Sequence, residues 1–414
     1  MKIVLINYHY FIHGGPDRYF FNIKDLLEGY GHQVIPFSLR YEETISNPYE
    51  KYFPVPISGS GTYLIENMRL SFGDKMRYAI KMFYNKDLND SFRALLDAER
   101  PDIVYSIYLS SSIIPYILKI AKEEYRLPVY YRLSDYHIYC PSYLSFRDGS
   151  VCVDCIKNKK YAFINRCVKK SYIYSFLRIL QIKVNEVNGC YDVVDKFVCP
   201  SIVMKNQMLA AGISDQRLVH IPTFARDIKM DFGDYCGDGY FLYFGKIVPE
   251  KGMDILFKAY DLIDGDRLNM KVVVYCDEGY KEHLMSYIKK EKRGDVEFMN
   301  NQNNESLWEI LNGASFVVQP GLWLENMPNT IIEAFSAGKA VIASNLGSYK
   351  ELVVDKKNGL LVEPGNVQDL AIAIKKMFNC DISKRYGLAA RKKYEKEYSS
   401  EIHYKRLMNV FVKN

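Results

Sequence analysis

Two carboxylates stand eight positions apart in residues 323–334, with a proline between them. On an unbroken helix Glu325 and Glu333 would point about 80° apart, because eight residues turn the chain by roughly 800°. Pro328 has no amide hydrogen and disfavours helical geometry in the residue before it. We therefore predict that Glu325 lies in a loop and that Glu333 lies in the second turn of a helix that begins after the proline.

The two acids need a particular set of elements around them. Residues 315–319 are predicted to form a buried strand, and Gly338 is predicted to end the helix before a strand at residues 340–343. A helix N-terminus after a parallel strand suits phosphate, and a carboxylate among apolar residues needs donors such as sugar hydroxyls. Alternatively, Glu333 lies on the solvent edge of an amphipathic helix and Glu325 is a plain loop acid.

Two lysines follow a predicted strand at residues 239–245. Lys246 and Lys251 would lie at a strand end and a helix start, where two cations can neutralise a diphosphate without a metal ion. The alternative is that both are ordinary solvated lysines. An Asp-x-Asp metal pattern occurs at residues 264–266, but it follows a predicted helix and is interpreted as a turn.

Length and composition indicate a globular protein with more than one domain, and they agree with a large two-domain enzyme. The chain has 414 residues, of which 48% are hydrophobic and 25% charged, as in globular proteins longer than one domain. Strands and helices alternate from residue 3 onward, which predicts parallel sheets, and the polar stretch at residues 227–238 is the predicted linker. The N-terminus is predicted to be a strand rather than a signal peptide. No apolar run approaches the roughly 20 residues that span a bilayer, so we expect a cytoplasmic protein.

The segment around the two glutamates resembles the donor site of glycosyltransferase family 4. The similarity rests on Trp-x-Glu-Asn-x-Pro followed by the Glu-x7-Glu spacing, and it continues through Gly347, Glu351, residues 358–362 and Pro364-Gly365. The resemblance implies a retaining enzyme of the GT-B fold, in which two Rossmann-like domains with parallel sheets face each other across a cleft. A Gly-x-Gly-x-x-Gly pattern does not follow the first strand, which argues against a dinucleotide site.

The resemblance also implies a role for each residue of the motif. Glu325 would hold hydroxyls of the donor sugar, and Glu333 would hold the ribose. Lys246 and Lys251 would neutralise the diphosphate, which itself helps to take the acceptor's proton, so that catalysis requires no cofactor. The other expected donor-binding residues are Asn326, Met327, Pro328, Asn329 and Thr330.

Two more site residues are expected in the amino-terminal domain. Gly15 lies in the glycine turn after the first strand, where the resemblance implies close approach to the donor, although a plain turn needs the same residue. Asp135 matches a catalytic-site aspartate of the family. Ser134 precedes it where many relatives have histidine. Either the serine hydroxyl or a neighbour makes the polar contact, or the donor differs, or the rate is reduced.

Four cysteines lie close together in the sequence at Cys140, Cys152, Cys155 and Cys167. A Cys-x-x-Cys pair between two outer cysteines could hold a structural zinc ion. The alternatives are reduced thiols that pack in the interior and a reversible disulfide.

A basic and aromatic segment follows the cysteines. Its basic residues are Lys157, Lys159, Lys160, Arg166, Lys169, Lys170, Arg178 and Lys183, and its aromatic residues are Tyr161, Phe163, Tyr172, Tyr174 and Phe176. Such a segment could lie on an anionic membrane surface. Nucleic-acid binding and a merely solvated helix face are the alternatives.

Together these features predict a retaining hexosyltransferase that moves a sugar from a nucleotide-sugar donor to an acceptor. The expected acceptor is a saccharide linked to a lipid, in surface polysaccharide synthesis. The expected domains are an acceptor-side domain at residues 1–226, with the cysteine-rich and basic insertion at about 136–185, and a donor domain at residues 227–395. A terminal helix at residues 396–414 is expected to return to the first domain. We expect no nucleic-acid partner and a location in the cytoplasm or at the inner face of the plasma membrane. The alternatives are a sugar-nucleotide epimerase of the same fold and an inactive nucleotide-sugar-binding homologue that acts as a scaffold.

Overall fold

The fold is described from a computed structural model of the chain. The structure describes residues 1–56, 73, 80–109, 113–228, 239–263, 268–273, 278–299 and 304–412. The Asp-x-Asp pattern at residues 264–266 and residues 229–238 of the predicted linker lie outside the described residues. The chain divides into two compact units, of which the first contains Met1–Leu144, Val153–Ile221 and Tyr404–Asn414 and the second contains Ser145–Cys152 and Pro222–His403.

Strands follow the chain in this order: β1 (Lys2–Ile6), β2 (Gln33–Phe37), β3 (Ile103–Ser106), β4 (Val129–Arg132), β5 (Phe146–Arg147), β6 (Ser150–Val151), β7 (Lys196–Cys199), β8 (Leu218–His220), β9 (Tyr240–Phe244), β10 (Asn269–Val273), β11 (Val296–Met299), β12 (Phe316–Gln319), β13 (Ala340–Ser344) and β14 (Gly359–Val362). Strands β5 and β6 form a short antiparallel pair. The others form two parallel sheets, one in each unit, as the alternating sequence pattern predicts.

Helices follow the chain in this order: α1 (Gly15–Gly29), α2 (Lys86–Glu99), α3 (Tyr116–Lys119), α4 (Asp154–Lys157), α5 (Lys160–Ile164), α6 (Tyr172–Val187), α7 (Ile202–Ala210), α8 (Met253–Asp261), α9 (Glu278–Met285), α10 (Asn304–Gly313), α11 (Asn329–Ser336), α12 (Tyr349–Leu352), α13 (Val367–Met377), α14 (Cys380–Glu397) and α15 (Ser400–Phe411). Short 3₁₀ turns occur at Glu50–Tyr52, Asp215–Arg217, Pro249–Lys251 and Lys290–Asp295, and a π-helical segment occurs at Ile120–Glu124. Within the described residues, no helix combines the length and the apolar character that crossing a membrane would require.

The order of the strands locates a switch point in each sheet. The first sheet runs β2-β1-β3-β4-β7-β8, and the second runs β11-β10-β9-β12-β13-β14. The direction of strand addition reverses between β1 and β3 in the first sheet and between β9 and β12 in the second. In parallel α/β sheets, ligands bind outside the carboxyl ends of the strands at such a point. A ligand-binding site is therefore expected at the loops after β1 and β3 or at those after β9 and β12.

Strand β9 shows why the second sheet is buried on both faces. All five of its side chains are buried, with Phe241 and Tyr243 in one apolar cluster and Leu242 and Phe244 in another. Alternate side chains of a strand point to opposite faces, so each cluster belongs to one face of the sheet. Helices α8 and α13 supply residues to the first cluster, and helices α11 and α14 supply residues to the second. This double cover fixes the strands whose ends carry the site.

The last helix completes the core of the first unit. The ring of Tyr404 stacks on that of Tyr30 with centroids 3.7 Å apart, and its hydroxyl lies 2.9 Å from Nε2 of His32. Further along, Phe411 packs against Tyr130 with ring centroids 4.7 Å apart. From Tyr404 onward, one side of α15 packs into the first unit, with Leu407 and Phe411 buried.

Candidate functional site

The loops after β9 and β12 are held together at the switch point of the second sheet. Gly252 has a φ of +72°, and a Cβ atom there would stand 2.0 Å from the backbone oxygen of Pro320. Only glycine tolerates both this conformation and this close approach. The amide of Leu322 also donates to the carbonyl oxygen of Glu250 at 2.8 Å. These two backbone contacts place residues 250–252 beside residues 320–322.

This arrangement brings together two predicted site residues from distant parts of the sequence. The ammonium group of Lys251 donates to the carboxylate of Glu325, and the two side chains are only 19% and 14% exposed. The indole N–H of Trp323 donates to the same carboxylate at 3.1 Å, and its ring centroid lies 5.5 Å from the Lys251 nitrogen. The cluster thus offers a cation for an anionic ligand and a carboxylate for hydroxyl donors.

The backbone around Glu325 is fixed on both sides of the residue. Its amide donates to the carbonyl of Trp323 at 2.9 Å, and its own carbonyl accepts from the Ser348 hydroxyl at 2.6 Å. Leu324 is buried against Gly347, where an added Cβ atom would lie 3.1 Å from the leucine side chain. The carboxylate is therefore held by a loop with little freedom.

A helix begins beside this loop, as the sequence predicts. Helix α11 starts at Asn329, directly after Pro328, whose φ of −74° and ψ of 100° place it outside helical geometry. Thr330 lies against the loop after β9, because a Cβ atom at Gly245 would be 3.7 Å from its methyl group. The first amides of a helix have no partner within the helix, so this end suits an anion. The predicted break at the proline is confirmed.

The remaining motif residues are placed as follows. Asn326, Met327 and Pro328 are buried beneath the loop, and Glu333 is half-buried in the second turn of α11. Lys246 has an exposed side chain, and its backbone carbonyl accepts from the Tyr243 hydroxyl at 2.7 Å. The structure therefore joins Lys251 to Glu325 directly and leaves the Lys246 ammonium at the surface of the same unit.

Tyr349 is a residue of this site that the sequence does not predict. A Cβ atom at Gly321 would lie 2.1 Å from its hydroxyl oxygen, so the β12 loop runs directly over the buried phenol. Among the described residues, this hydroxyl has no hydrogen-bond partner. Burial raises the pKa of Tyr349 well above its ordinary value, and the Glu325 carboxylate adds to this. Tyr349 therefore stays a neutral donor beneath the loop. The one feature of the sequence that points to Tyr349 is its position two residues after Gly347, which belongs to the family resemblance.

Asp135 lies at the carboxyl end of β4 in the first unit and is held by a histidine that the sequence analysis passed over. The amide of His137 donates to the Asp135 carboxylate at 2.9 Å, and its Nδ1 atom contacts the same oxygen. The Nε2 atom of His137 lies 2.8 Å from the Tyr131 hydroxyl. Both ring nitrogens are thus engaged, and the carboxylate is held by His137 of its own loop and by a hydrogen bond from the Tyr108 hydroxyl after β3. The Asp-x-His spacing is the signal that would have identified this pair.

Ser134 and Gly15 occupy two further positions of the first unit. The Ser134 hydroxyl donates to the carbonyl of Ile107 at 2.5 Å and accepts from Arg132 at 2.8 Å. Gly15 begins α1, and no described atom lies within 4 Å of a Cβ atom added there. The preceding Gly14 is extended, a conformation open to any residue. Neither strain nor packing within the unit therefore explains the glycine at position 15.

The four cysteines of the zinc hypothesis are all among the described residues. Cys140 and Cys155 are buried, and the Cys140 sulfur lies 3.3 Å from the Ser142 hydroxyl. In the part of the chain that the structure describes, no group of three or more His, Cys, Asp or Glu side chains is placed to hold a metal ion. The zinc ion stays a prediction.

Comparison with protein families and curated sequences agrees with the geometry of the second unit. Residues 226–394 match the family of glycosyl transferases group 1. An uncharacterised glycosyltransferase of Methanocaldococcus jannaschii is 28% identical over 207 residues, which cover 50% of this chain and 56% of the relative. The lipopolysaccharide 1,2-N-acetylglucosaminetransferase of Salmonella typhimurium is 32% identical over 132 residues, which cover 30% of this chain and 35% of the relative. The matches thus span about a third to a little over half of these relatives.

Solved structures resemble the chain over its whole length. Sucrose-phosphate synthase from Thermosynechococcus elongatus superposes with a TM-score of 0.73 at 16% identity, over 99% of this chain and 98% of that one. HepE of Anabaena, solved in complex with UDP and glucose, superposes with a TM-score of 0.67 at 15% identity, over the full length of both chains. At such identities the likeness establishes the fold alone, which is GT-B. With the sequence matches, the chain is similar to glycosyltransferases of the family 4 type, and the family match lies in its second half.

Proposed function

We propose that the protein is a retaining glycosyltransferase that moves a hexose from a nucleotide sugar to a saccharide acceptor in the synthesis of a surface polysaccharide. The observation that carries this proposal is the Lys251–Glu325 pair, which lies beside the start of α11 at the switch point of the second sheet. In a nucleotide sugar, the cation and the helix N-terminus suit the diphosphate, which is also the leaving group, and the carboxylate suits the sugar hydroxyls.

Donor binding exchanges the partners of this pair. The diphosphate takes over the ammonium group of Lys251, with Lys246 and the first amides of α11 beside it. The released Glu325 carboxylate then accepts hydrogen bonds from hydroxyls of the donor sugar. Glu333 holds the ribose hydroxyls from the second turn of the same helix. The ion pair is largely shielded from water. On donor binding, Lys251 loses its contact with Glu325 and gains one with the diphosphate, so it keeps a charge-assisted hydrogen bond.

The chemical step follows from this placement. The bond from the anomeric carbon to the diphosphate oxygen breaks, and its electron pair leaves with the diphosphate. The acceptor hydroxyl forms the new bond on the same face and passes its proton to the departing diphosphate. Lys251 and the helix amides stabilise the negative charge that develops on the leaving group. In this proposal neither a metal ion nor a protein base takes part.

A sequence relative supports the class of acceptor, and a similar solved structure supports the class of donor. One of them is named for N-acetylglucosamine transfer in lipopolysaccharide synthesis, and the HepE structure contains UDP and glucose. We propose a lipid-linked saccharide acceptor and a place of action at the cytoplasmic face of the membrane. Asp135, oriented by His137, and the open position at Gly15 are the groups of the first unit that serve the reaction.

A transfer assay tests this function. Purified protein is incubated with a panel of nucleotide sugars, with and without lipid-linked saccharide extracted from membranes, and both the released nucleotide and the labelled product are measured. The expected result is acceptor-dependent transfer with retention at the anomeric carbon. Acceptor-independent isomerisation would instead identify an epimerase, and binding without turnover would identify an inactive homologue.

A further inference from the structure

Helix α6 has its polar and apolar sides reversed. Its buried side chains are the polar Ser175, Gln181 and Asn185 and one apolar residue, Ile182. Ile173 is 71% exposed and Val187 is 85% exposed, and the other exposed apolar side chains on this side are Phe176 and Leu180. At about 100° per residue, these four positions fall within roughly 60° of arc, so they form one stripe. A helix that only covered a core would show the opposite pattern.

Hydrogen bonds fix the helix in this orientation. The Gln181 amide group donates to the carbonyl of Met82 at 2.9 Å, and the Ser175 hydroxyl accepts from the amide of Val168 at 3.0 Å. Turning the apolar stripe inward would break both bonds and leave buried polar groups unsatisfied, which is costly. The outward position of the stripe is therefore built into the fold.

Helix α5 extends the stripe into a larger patch. Tyr161, Phe163 and Ile164 are exposed on α5, and the ring of Phe163 lies 5.1 Å from that of Tyr172 at the start of α6. We call the combined surface the α5–α6 face, consisting of Tyr161, Phe163, Ile164, Tyr172, Ile173, Phe176, Leu180 and Val187. Proteins that remain free in solution rarely expose so many neighbouring apolar side chains, and such patches mark binding surfaces.

Cations surround this face. The exposed basic residues of the same segment are Lys157, Lys160, Arg166, Lys169, Lys170 and Lys183. Arg166 lies 5.5 Å from the ring of Tyr172, and Lys169 lies 5.6 Å from the ring of Tyr174. The sequence contains no aspartate or glutamate between residues 155 and 185. Glu186 at the end of α6 forms ion pairs with Lys183 and Lys159, so the excess positive charge of the rim comes from the other exposed basic residues.

An anionic bilayer fits this combination better than the other partners. A second copy of the chain would bring two basic rims together, since a two-fold interface pairs a surface with itself. Nucleic acid would satisfy the cations but leave the isoleucine, leucine and valine side chains in contact with phosphates and water. At a bilayer surface, aromatic and aliphatic groups enter the headgroup region while lysine and arginine contact lipid phosphates. We propose that the α5–α6 face docks on an anionic lipid bilayer. This proposal does not depend on the transfer activity proposed above.

Vesicle flotation tests the docking. The full-length protein should float with vesicles of phosphatidylcholine and phosphatidylglycerol in equal parts and much less with phosphatidylcholine alone, and added salt should weaken binding. The double variant Ile173→Ser, Phe176→Ser should bind at least about tenfold more weakly, because it removes apolar side chains that enter the headgroup region on docking. Lys169→Glu with Lys170→Glu should lower binding by roughly tenfold as well, through lost attraction to phosphate.

A matched control comes from the same unit. Ile202 and Leu209 are exposed apolar residues of α7, and the variant Ile202→Ser, Leu209→Ser should bind vesicles like the unaltered protein. Melting curves of all variants establish that they are folded. Equal binding of the α6 and α7 variants, or equal binding to neutral and anionic vesicles, would overturn the proposal. So would an α6-dependent dimer in light scattering without vesicle binding.

A fluorescence measurement reports the docking without relying on loss of binding. The variant Phe176→Trp should show a blue shift and increased intensity when anionic vesicles are added, because the indole leaves water for the headgroup region. The variant Leu209→Trp should not change. Because a soluble saccharide acceptor can be used in the transfer assay, failure of docking and failure of transfer are distinguishable. An unchanged spectrum of the Phe176→Trp variant beside a flotation signal would place the contact elsewhere and refute the α5–α6 face.

Discussion

The two sheets each carry an acidic side chain with a basic partner at their carboxyl edge, but the two pairs are built differently. Lys251 and Glu325 are 74 positions apart and meet only because two loops converge at the switch point between β9 and β12. Asp135 and His137 are two positions apart and belong to one turn after β4. The first pair depends on the complete sheet, whereas the second depends on local geometry.

The two pairs are suited to different roles. The lysine and glutamate can exchange each other for groups of a ligand, because each then keeps a charged or hydrogen-bonding partner. The histidine has both ring nitrogens engaged within its own unit, so it can orient Asp135 but is not poised to exchange partners. We therefore place ligand chemistry in the second unit and positioning in the first.

The largest expected loss of transfer activity follows from substitution of Lys251 or Glu325. Lys251→Ala or Glu325→Gln should reduce transfer by on the order of 10²- to 10³-fold while leaving the fold intact, because each removes a group that stabilises the donor in the transition state. Initial rates with saturating donor measure this. Lys281→Ala and Glu278→Gln are matched controls, since these two residues form an exposed ion pair on α9. Near-normal rates in the site variants would refute the assignment.

The next effect concerns the convergence of the two loops. Gly252→Ala should lower the free energy of unfolding by about 2 kcal/mol or more, because the methyl group collides with the Pro320 carbonyl and the backbone has positive φ. Transfer should fall as the loops move apart. Gly294→Ala is the control, since no described atom lies within 4 Å of the added Cβ. Equal denaturation midpoints for the two variants would argue against a required close approach.

A smaller effect is expected in the first unit. His137→Ala should reduce transfer by roughly tenfold, since Asp135 loses one orienting partner and keeps its hydrogen bond with Tyr108, as expected for a residue that acts by positioning. His137→Asn should recover part of the rate, because its amide group can still donate to the carboxylate. A His137→Ala loss as large as that of Glu325→Gln, or a loss that His137→Asn does not relieve, would give the histidine a direct role.

The smallest effect is a pH dependence confined to the first unit. Burial lowers the pKa of His220 to about 4, and the charges of Arg406 and Lys205 contribute. The neutral form is favoured in the folded state, so its stabilisation is complete above about pH 6.5 and is lost as the pH falls toward 4. The unfolding free energy should fall by about 1 to 2 kcal/mol more over this range than in His220→Gln, after allowance for partial solvent access. Parallel curves for the two proteins would exclude this titration.

In the second unit, the sequence predicted local backbone features better than contacts between distant residues. Pro328 breaks the chain as predicted, because proline geometry acts locally and needs no tertiary contact. The pairing of Lys251 with Glu325 could not be read from spacing, since it follows from β9 and β12 being neighbours. Tyr349 was missed for the same reason: its role comes from the glycine backbone that passes over it at Gly321.

In the first unit, the sequence pattern does not determine which side of α6 faces outward. The basic and aromatic character of residues 157–183 is plain in the sequence, but α6 has apolar residues on most of its circumference. Which side faces outward is decided by the hydrogen bonds of Ser175 and Gln181, and their partners lie outside the helix. Periodicity alone cannot supply that information.

The reversed helix separates the residues that secure the fold from those that meet the surroundings. Because Ser175 and Gln181 anchor α6, the outward residues Ile173 and Phe176 contribute little to the interior. Their size and polarity can therefore change without unfolding the protein, and under the docking proposed above this stripe could vary with lipid composition while the anchors stay constant. The same property makes the stripe a practical target: polar substitutions there should give a protein that is easier to concentrate and crystallise.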